Sequence, residues 1–180
     1  MNTLSRSHFE LFGLAESFAI DCQVLDSAFR RVQSAVHPDR FGGGTDTDRR
    51  IAMQLATQAN EAYRTLRSPL LRAEYLCSLH DADPQVHSNT AMPGQFLQLQ
   101  MQWREQLEDL REQSLEGGRK TLTGLRSEIE QARAKLLAGL GEALDQRRDF
   151  AHAAGLVRQL MFVEKFDENL SDFEDQLETD

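Results

Sequence analysis

The chain has 180 residues and a mass of 20.4 kDa, with 40% of its residues apolar and 27% charged. That apolar share can build a core, and eleven glycines with four prolines exclude a collagen-like or proline-rich chain. The net charge of −9 and pI near 5.0 weigh against nucleic acid as a partner, because an acidic surface repels phosphate.

Helical spacing recurs from end to end, and no segment alternates as a strand does. Phe9, Leu11, Phe12 and Leu14 predict one or two helical turns. Asp21 can cap a second helix, in which Leu25, Phe29, Val32 and Val36 share one face. That helix must stop near Val36, because Pro38 disfavours helical geometry at His37. Gly42, Gly43 and Gly44 form a flexible loop, and Thr45 with Asp48 is a variant of the capping box. A third helix is predicted to about Arg67, with Leu55, Ala59, Ala62 and Leu66 on one side. Ser68 and Pro69 are an N-cap followed by proline at the first helical position. The fourth helix runs from Pro69 to about Leu79 and offers Leu71, Tyr75, Leu76 and Leu79 as its apolar residues.

Residues 81–94 then break the pattern with two prolines, a glycine and several turn formers, the best boundary in the chain. Charge changes there too. Residues 1–80 hold nine basic and nine acidic residues, whereas residues 81–180 hold 11 and 20. Three long amphipathic stretches follow: about Pro93 to Leu115, about Arg119 to Leu144 after the Gly117–Gly118 pair, and about Asp149 to Leu177. In the last, Leu156, Leu160, Val163, Phe166, Leu170, Phe173 and Leu177 make a seam spaced by three or four. Short connections between apolar-striped helices predict an antiparallel three-helix bundle. The acidic residues Glu164, Asp167, Glu168, Asp172, Glu174, Asp175, Glu178 and Asp180 read as a solvated face.

No run reaches the roughly eighteen apolar residues that span a bilayer. The opening MNTLSRSHFELFGL lacks the basic and apolar regions of a secretory signal. The expectation is a cytoplasmic chain with no membrane partner. Cys22 and Cys77 belong to no CxxC pair and read as small buried hydrophobes. His8, His80, His87 and His152 lack metal-ligand spacing, and Met53, Met92 and Met161 read as packing residues. There is no GxxxxGK[ST] phosphate loop and no Glu-x-x-His pair for a bundle-type metal site, so neither an ATPase nor a metal-dependent hydrolase is indicated. Catalytic residues, metals and cofactors are all expected to be absent.

On the first long stretch, at about 100° per residue, Phe96, Leu99, Trp103, Leu107 and Leu110 cluster within about 80° as a core stripe. Leu97 and Met101 lie about 120° and 160° from its centre, with Gln98, Gln102, Glu105 and Asp109 on the same outer side. Two readings are open: scattered surface hydrophobes, or a partner patch with an acidic rim. Phe162, about 100° off its own seam, could join such a patch.

The sharpest motif is His37-Pro38-Asp39, preceded by Arg30 and Arg31 on a helix and followed by Arg40 and Phe41, a loop and a second helix. Asn60-Glu61-Ala62-Tyr63 lies downstream. This arrangement resembles a J-domain. The resemblance implies that the loop and its basic flank (His37, Pro38, Asp39, Arg30, Arg31 and Arg40) dock on a DnaK-type chaperone and stimulate its ATPase. Proline stiffens such a loop, and Asp39 offers a charge for an arginine to pair with. The segment NEAYRTLRSPLLRAEYLCSLH at 60–80 and HFELFGL at 8–14 narrow the resemblance to the HscB family, J-type co-chaperones of iron–sulfur cluster assembly. Neither a Gly/Phe-rich linker nor a cysteine-rich region follows.

The resemblance implies an all-α, L-shaped molecule: a J-domain over 1–80, a linker over 81–91 and a three-helix domain over 92–180. It further implies an HscA-type chaperone and an IscU-type scaffold as partners, the scaffold held by Leu97, Gln98, Met101, Gln102, Glu105, Asp109 and Phe162. Gln98 and Gln102 stand where the family commonly has an apolar and an acidic residue, and Asp109 is shorter than the usual glutamate. A general co-chaperone for unfolded clients is the alternative.

Overall fold

The computed structural model describes residues 7–36, 45–85, 92–112 and 115–179, and these are all-α. Helix α1 (His8–Phe12) is set by a full capping box between Ser7 and Glu10 and ends at Gly13, whose φ of 67° suits a residue without a Cβ. Helix α2 (Cys22–Val36) starts where the Gln23 N–H donates to the Asp21 carboxylate at 2.8 Å. Helix α3 (Asp46–Arg67) begins on the expected Thr45–Asp48 box, with both reciprocal bonds made. Helix α4 (Pro69–Leu79) follows its Ser68 cap and Pro69 as expected. The predicted glycine loop at 42–44 lies outside the described residues.

Helix α4 buries a set that shares only Leu76 with the apolar residues named for it from the sequence. Arg72, Ala73, Leu76 and Cys77 are inside, while Leu79 is exposed. The reason is tertiary: α4 is covered on one side by α3 and on another by α7 (Phe150–Thr179). One apolar cluster therefore runs from Phe9, Phe12 and Leu25 through Leu76 and Cys77 to Val157 and Leu160.

The bundle helices are α5 (Gly94–Glu112), α6 (Leu115–Gly141) and α7. The glycine pair does not separate them: Gly117 and Gly118 lie inside α6. Each glycine costs a helix about 1 kcal/mol relative to alanine, which the packing of Leu125, Ile129, Leu136 and Leu140 along α6 outweighs. Past Gly141 the helix widens into a π-helical turn, Glu142–Arg147, closed by Arg148 at a φ of 55°.

The acidic run of α7 is not wholly a solvated face. Arg126 of α6 pairs with Glu174 and with Asp167, the latter at 3.2 Å. Arg133 pairs with Glu164 at 3.1 Å and Asp167 at 2.7 Å. The acid count of one helix is thus partly matched by its neighbour. The side chains of Leu177, Glu178 and Asp180 lie outside those described.

Candidate functional site

Helix α2 turns Leu25 and Ala28 into the core, and its Phe29 ring stacks on Tyr63 at 4.1 Å. The Tyr63 hydroxyl donates to Asp26 at 3.0 Å, which ties α2 to α3. Arg30 and Arg31 are consequently on the exposed side of α2. His37, Pro38, Asp39 and Arg40, which complete that predicted surface, lie outside the described residues.

The second predicted surface is on α5. Its inner stripe faces the core as expected: Phe96 and Leu110 are almost covered, Trp103 is completely so, and Leu99 and Leu107 are partly buried against them. The Trp103 indole N–H donates to Glu128 of α6 at 3.1 Å, and its ring lies 5.4 Å from Phe166 of α7. That burial forces the opposite side outward. Leu97 is 44% and Met101 61% exposed, and Gln98, Gln102, Glu105 and Asp109 are all exposed. Phe162 is half-buried, with its ring 5.8 Å from Phe96, edge to face, and 6.1 Å from Phe166.

Arg104 is the residue the sequence pattern missed. Its guanidinium lies 5.9 Å from the centre of the Phe162 ring. By helical turn Arg104 stands about 80° from Phe96, between it and Leu97 at about 100° and Met101 at about 140°. Phe162 therefore flanks the side of α5 that leads to Leu97 and Met101. The polar residues Glu105, Gln98, Asp109 and Gln102 continue round the helix at about 180° to 240°. Around the other side, a groove of about 640 Å³ runs among the three helices, lined by Phe96, Leu99, Leu136, Gly139, His152 and Leu156.

His8 and His80 serve packing and charge pairing. His8 stacks on Tyr75 at 4.2 Å, and burial lowers its pKa from the ordinary histidine value. His80 stacks on Phe150 at 3.8 Å and donates to Glu16 at 2.6 Å. That bond holds Glu16 below the usual carboxylate range, with Arg148 assisting at 3.3 Å. Burial pushes the Cys77 thiol up to about 12, so it stays protonated and unreactive. It also pulls Arg72 below the usual guanidinium range, opposed by Cys22 and Asp145. Met53, expected to pack, is 70% exposed. Among the described residues no group of three or more potential ligands could hold a metal, and no helix is long and apolar enough to cross a membrane.

The chain is similar to known proteins over most of its length. A family model described as the HSCB C-terminal oligomerisation domain matches residues 92–171. The co-chaperone protein HscB homolog of Bordetella avium (strain 197N) is 48% identical over 164 residues, covering 91% of this chain and 95% of that protein. The homolog from Ralstonia nicotianae is 48% identical over 179 residues, 99% of both chains. The solved structure of chaperone HscB from Vibrio cholerae superposes with a TM-score of 0.82 at 35% identity, over 96% of this chain and 99% of that one.

Proposed function

Because the chain belongs to the HscB family of co-chaperones, we propose that it binds an IscU-type iron–sulfur scaffold protein, presents it to a DnaK/HscA-type chaperone and stimulates that chaperone's ATPase. Residues 1–80 act as the J-domain and residues 92–180 as the scaffold-binding domain, joined by residues 81–91. The chain itself contributes adaptor chemistry and no bond-making step.

One observation carries the reading. Leu97 and Met101 are exposed four residues apart on a helix whose inner face is sealed by Trp103, beside the half-buried Phe162. Covering them gains about 1.5–3 kcal/mol per large side chain, less the ordering costs of association. Glu105 and Asp109 at the rim favour a basic partner surface, and Gln98 and Gln102 supply hydrogen bonds there. On the other half, Arg30 and Arg31 favour an acidic chaperone surface, with His37, Pro38, Asp39 and Arg40 beyond them. The apolar groove between α5, α6 and α7 favours a second reading, a general co-chaperone that takes unfolded segments.

His37→Gln tests the first reading. It is expected to leave calorimetric titration with purified IscU-type scaffold unchanged and to abolish stimulation of the chaperone's steady-state ATP turnover. Equal stimulation by variant and wild type would remove the loop from the mechanism. Competition of scaffold binding by unfolded peptides would favour the general co-chaperone instead.

A further inference from the structure

Besides the packing of α4 on α7, the two halves of the chain meet where the loop between α1 and α2 touches the π-helical turn after α6, and there one carboxylate takes two backbone amides across the junction. Phe18 of the loop is 7% exposed. Its ring faces the Arg72 guanidinium at 5.1 Å, and a Cβ added at Gly141 would come within 3.8 Å of it. The Phe18 backbone N–H donates to Asp145 Oδ1 at 2.6 Å, and the Ala19 N–H donates to Asp145 Oδ2 at 2.8 Å. Both oxygens of one side chain are thus engaged by adjacent amides 126 and 127 residues away. Two parallel charge-assisted bonds set an angle as well as a distance. The turn that carries Asp145 is itself unusual. π-helical turns are rare and concentrate at functional sites, and this one is closed by an Asp149 N–H bond to the Ala143 carbonyl at 2.9 Å.

The position of this clamp gives it leverage. Helix α2 starts three residues after Ala19 and leads to His37. Its 15 residues make a lever of about 22 Å at 1.5 Å per residue. A tilt of about 10° at the junction would move its far end by about 4 Å, more than a hydrogen bond tolerates.

We propose that Asp145 is a positioning residue that fixes the J-domain against the bundle, so that scaffold held on α5 is delivered to the chaperone at one orientation. The inference rests on the proposed function for its consequence, while the clamp is measurable without any partner. Asp145 touches neither partner-binding surface. Its loss uncouples two activities that each survive alone.

The test uses the full chain with spin labels on cysteines placed at exposed Ser27 of α2 and Ala134 of α6, in a Cys22→Ser background; buried Cys77 escapes labelling. Asp145→Asn is nearly isosteric but turns an amide donor toward one of the two N–H groups. The label-to-label distance distribution is expected to broaden or shift. Scaffold affinity and stimulation by the variant alone are expected to stay within twofold of wild type, while scaffold-dependent enhancement of stimulation falls at least threefold. An unchanged distance distribution overturns the clamp. A changed distribution with full enhancement overturns its coupling role, and so does a parallel loss of all three activities, which marks a merely structural residue. A wild type without any scaffold enhancement defeats the proposed function, and the distances still judge the clamp. If Asp145→Asn fails to fold, Asp145→Glu, which keeps both oxygens one methylene too far out, is read in the same way.

Discussion

The junction between the halves and the outer side of α5 are built in opposite ways. At the junction, polar groups are matched across the halves: Asp145 takes two amides, and the partly exposed Glu16 takes His80 and Arg148. On α5, large apolar groups stand in water with polar neighbours around them. Buried polar groups are costly unless paired, so the first arrangement suits a contact that is always made. Exposed apolar groups gain only when something covers them, so the second suits a contact made with a partner. Helix α5 reinforces the difference. Charged pairs hold α6 to α7 through Arg126 and Arg133, whereas an apolar stripe and one indole bond carry much of the hold on α5.

The strongest way to break this contrast is at the inner side of α5. Trp103 has no exposed surface and packs on Phe166. Trp103→Ala is expected to cost about 3–5 kcal/mol of folding stability, by lost transfer energy and the cavity left behind. Chemical denaturation measures it, and a loss below about 1 kcal/mol would mean that α5 is not held by this stripe.

The outer side should respond in the opposite sense. The double change Leu97→Ala and Met101→Ala removes apolar surface that the free protein already leaves in water. Scaffold binding is expected to weaken at least tenfold, about 1.4 kcal/mol, with stability within about 0.5 kcal/mol of wild type. Phe162 is left out of this pair because its ring contacts with Phe96 and Phe166 would mix a packing loss into the result. A variant that melts far lower while binding scaffold normally would show the two sides of α5 to be exchanged.

What the sequence made legible was what is local. The caps at Thr45 and Ser68 were readable because the residues that satisfy a helix start lie within three positions of it. The division of α5 into two sides followed from angle alone. What stayed hidden depends on distant partners. The buried face of α4 is set by α7, about 75 residues later, and the pairing of Glu164, Asp167 and Glu174 depends on two arginines of α6. The Gly117–Gly118 pair carries a strong local breaking signal that α6 overrides by packing. An arginine on a helix flank carries no signal of its own until a ring such as Phe162 is brought to Arg104. Asp145 is the extreme case, since its partners are backbone amides in the other half and no side-chain pattern encodes them.

The smallest expected effect sharpens the junction side of the contrast. His80 first, and then Arg148, hold Glu16 below the ordinary carboxylate range despite an opposing contribution from burial. A carboxylate whose pKa is depressed by folding binds fewer protons folded than unfolded through that interval. Its stabilising contribution is therefore complete above the unfolded value near 4.5 and fades as the pH falls through the lower, folded value. Glu16 is about a third exposed, so solvent screening limits the pair to about 0.5 kcal/mol. Glu16→Gln should then be less stable than wild type by about that amount at neutral pH, and the gap should close in acid, below the usual carboxylate range. Denaturant titrations of both proteins at a series of pH values measure the gap directly. A difference that stays constant from neutral to acid pH would show that Glu16 acts through packing alone and that its bond to His80 contributes nothing to the hold between the halves.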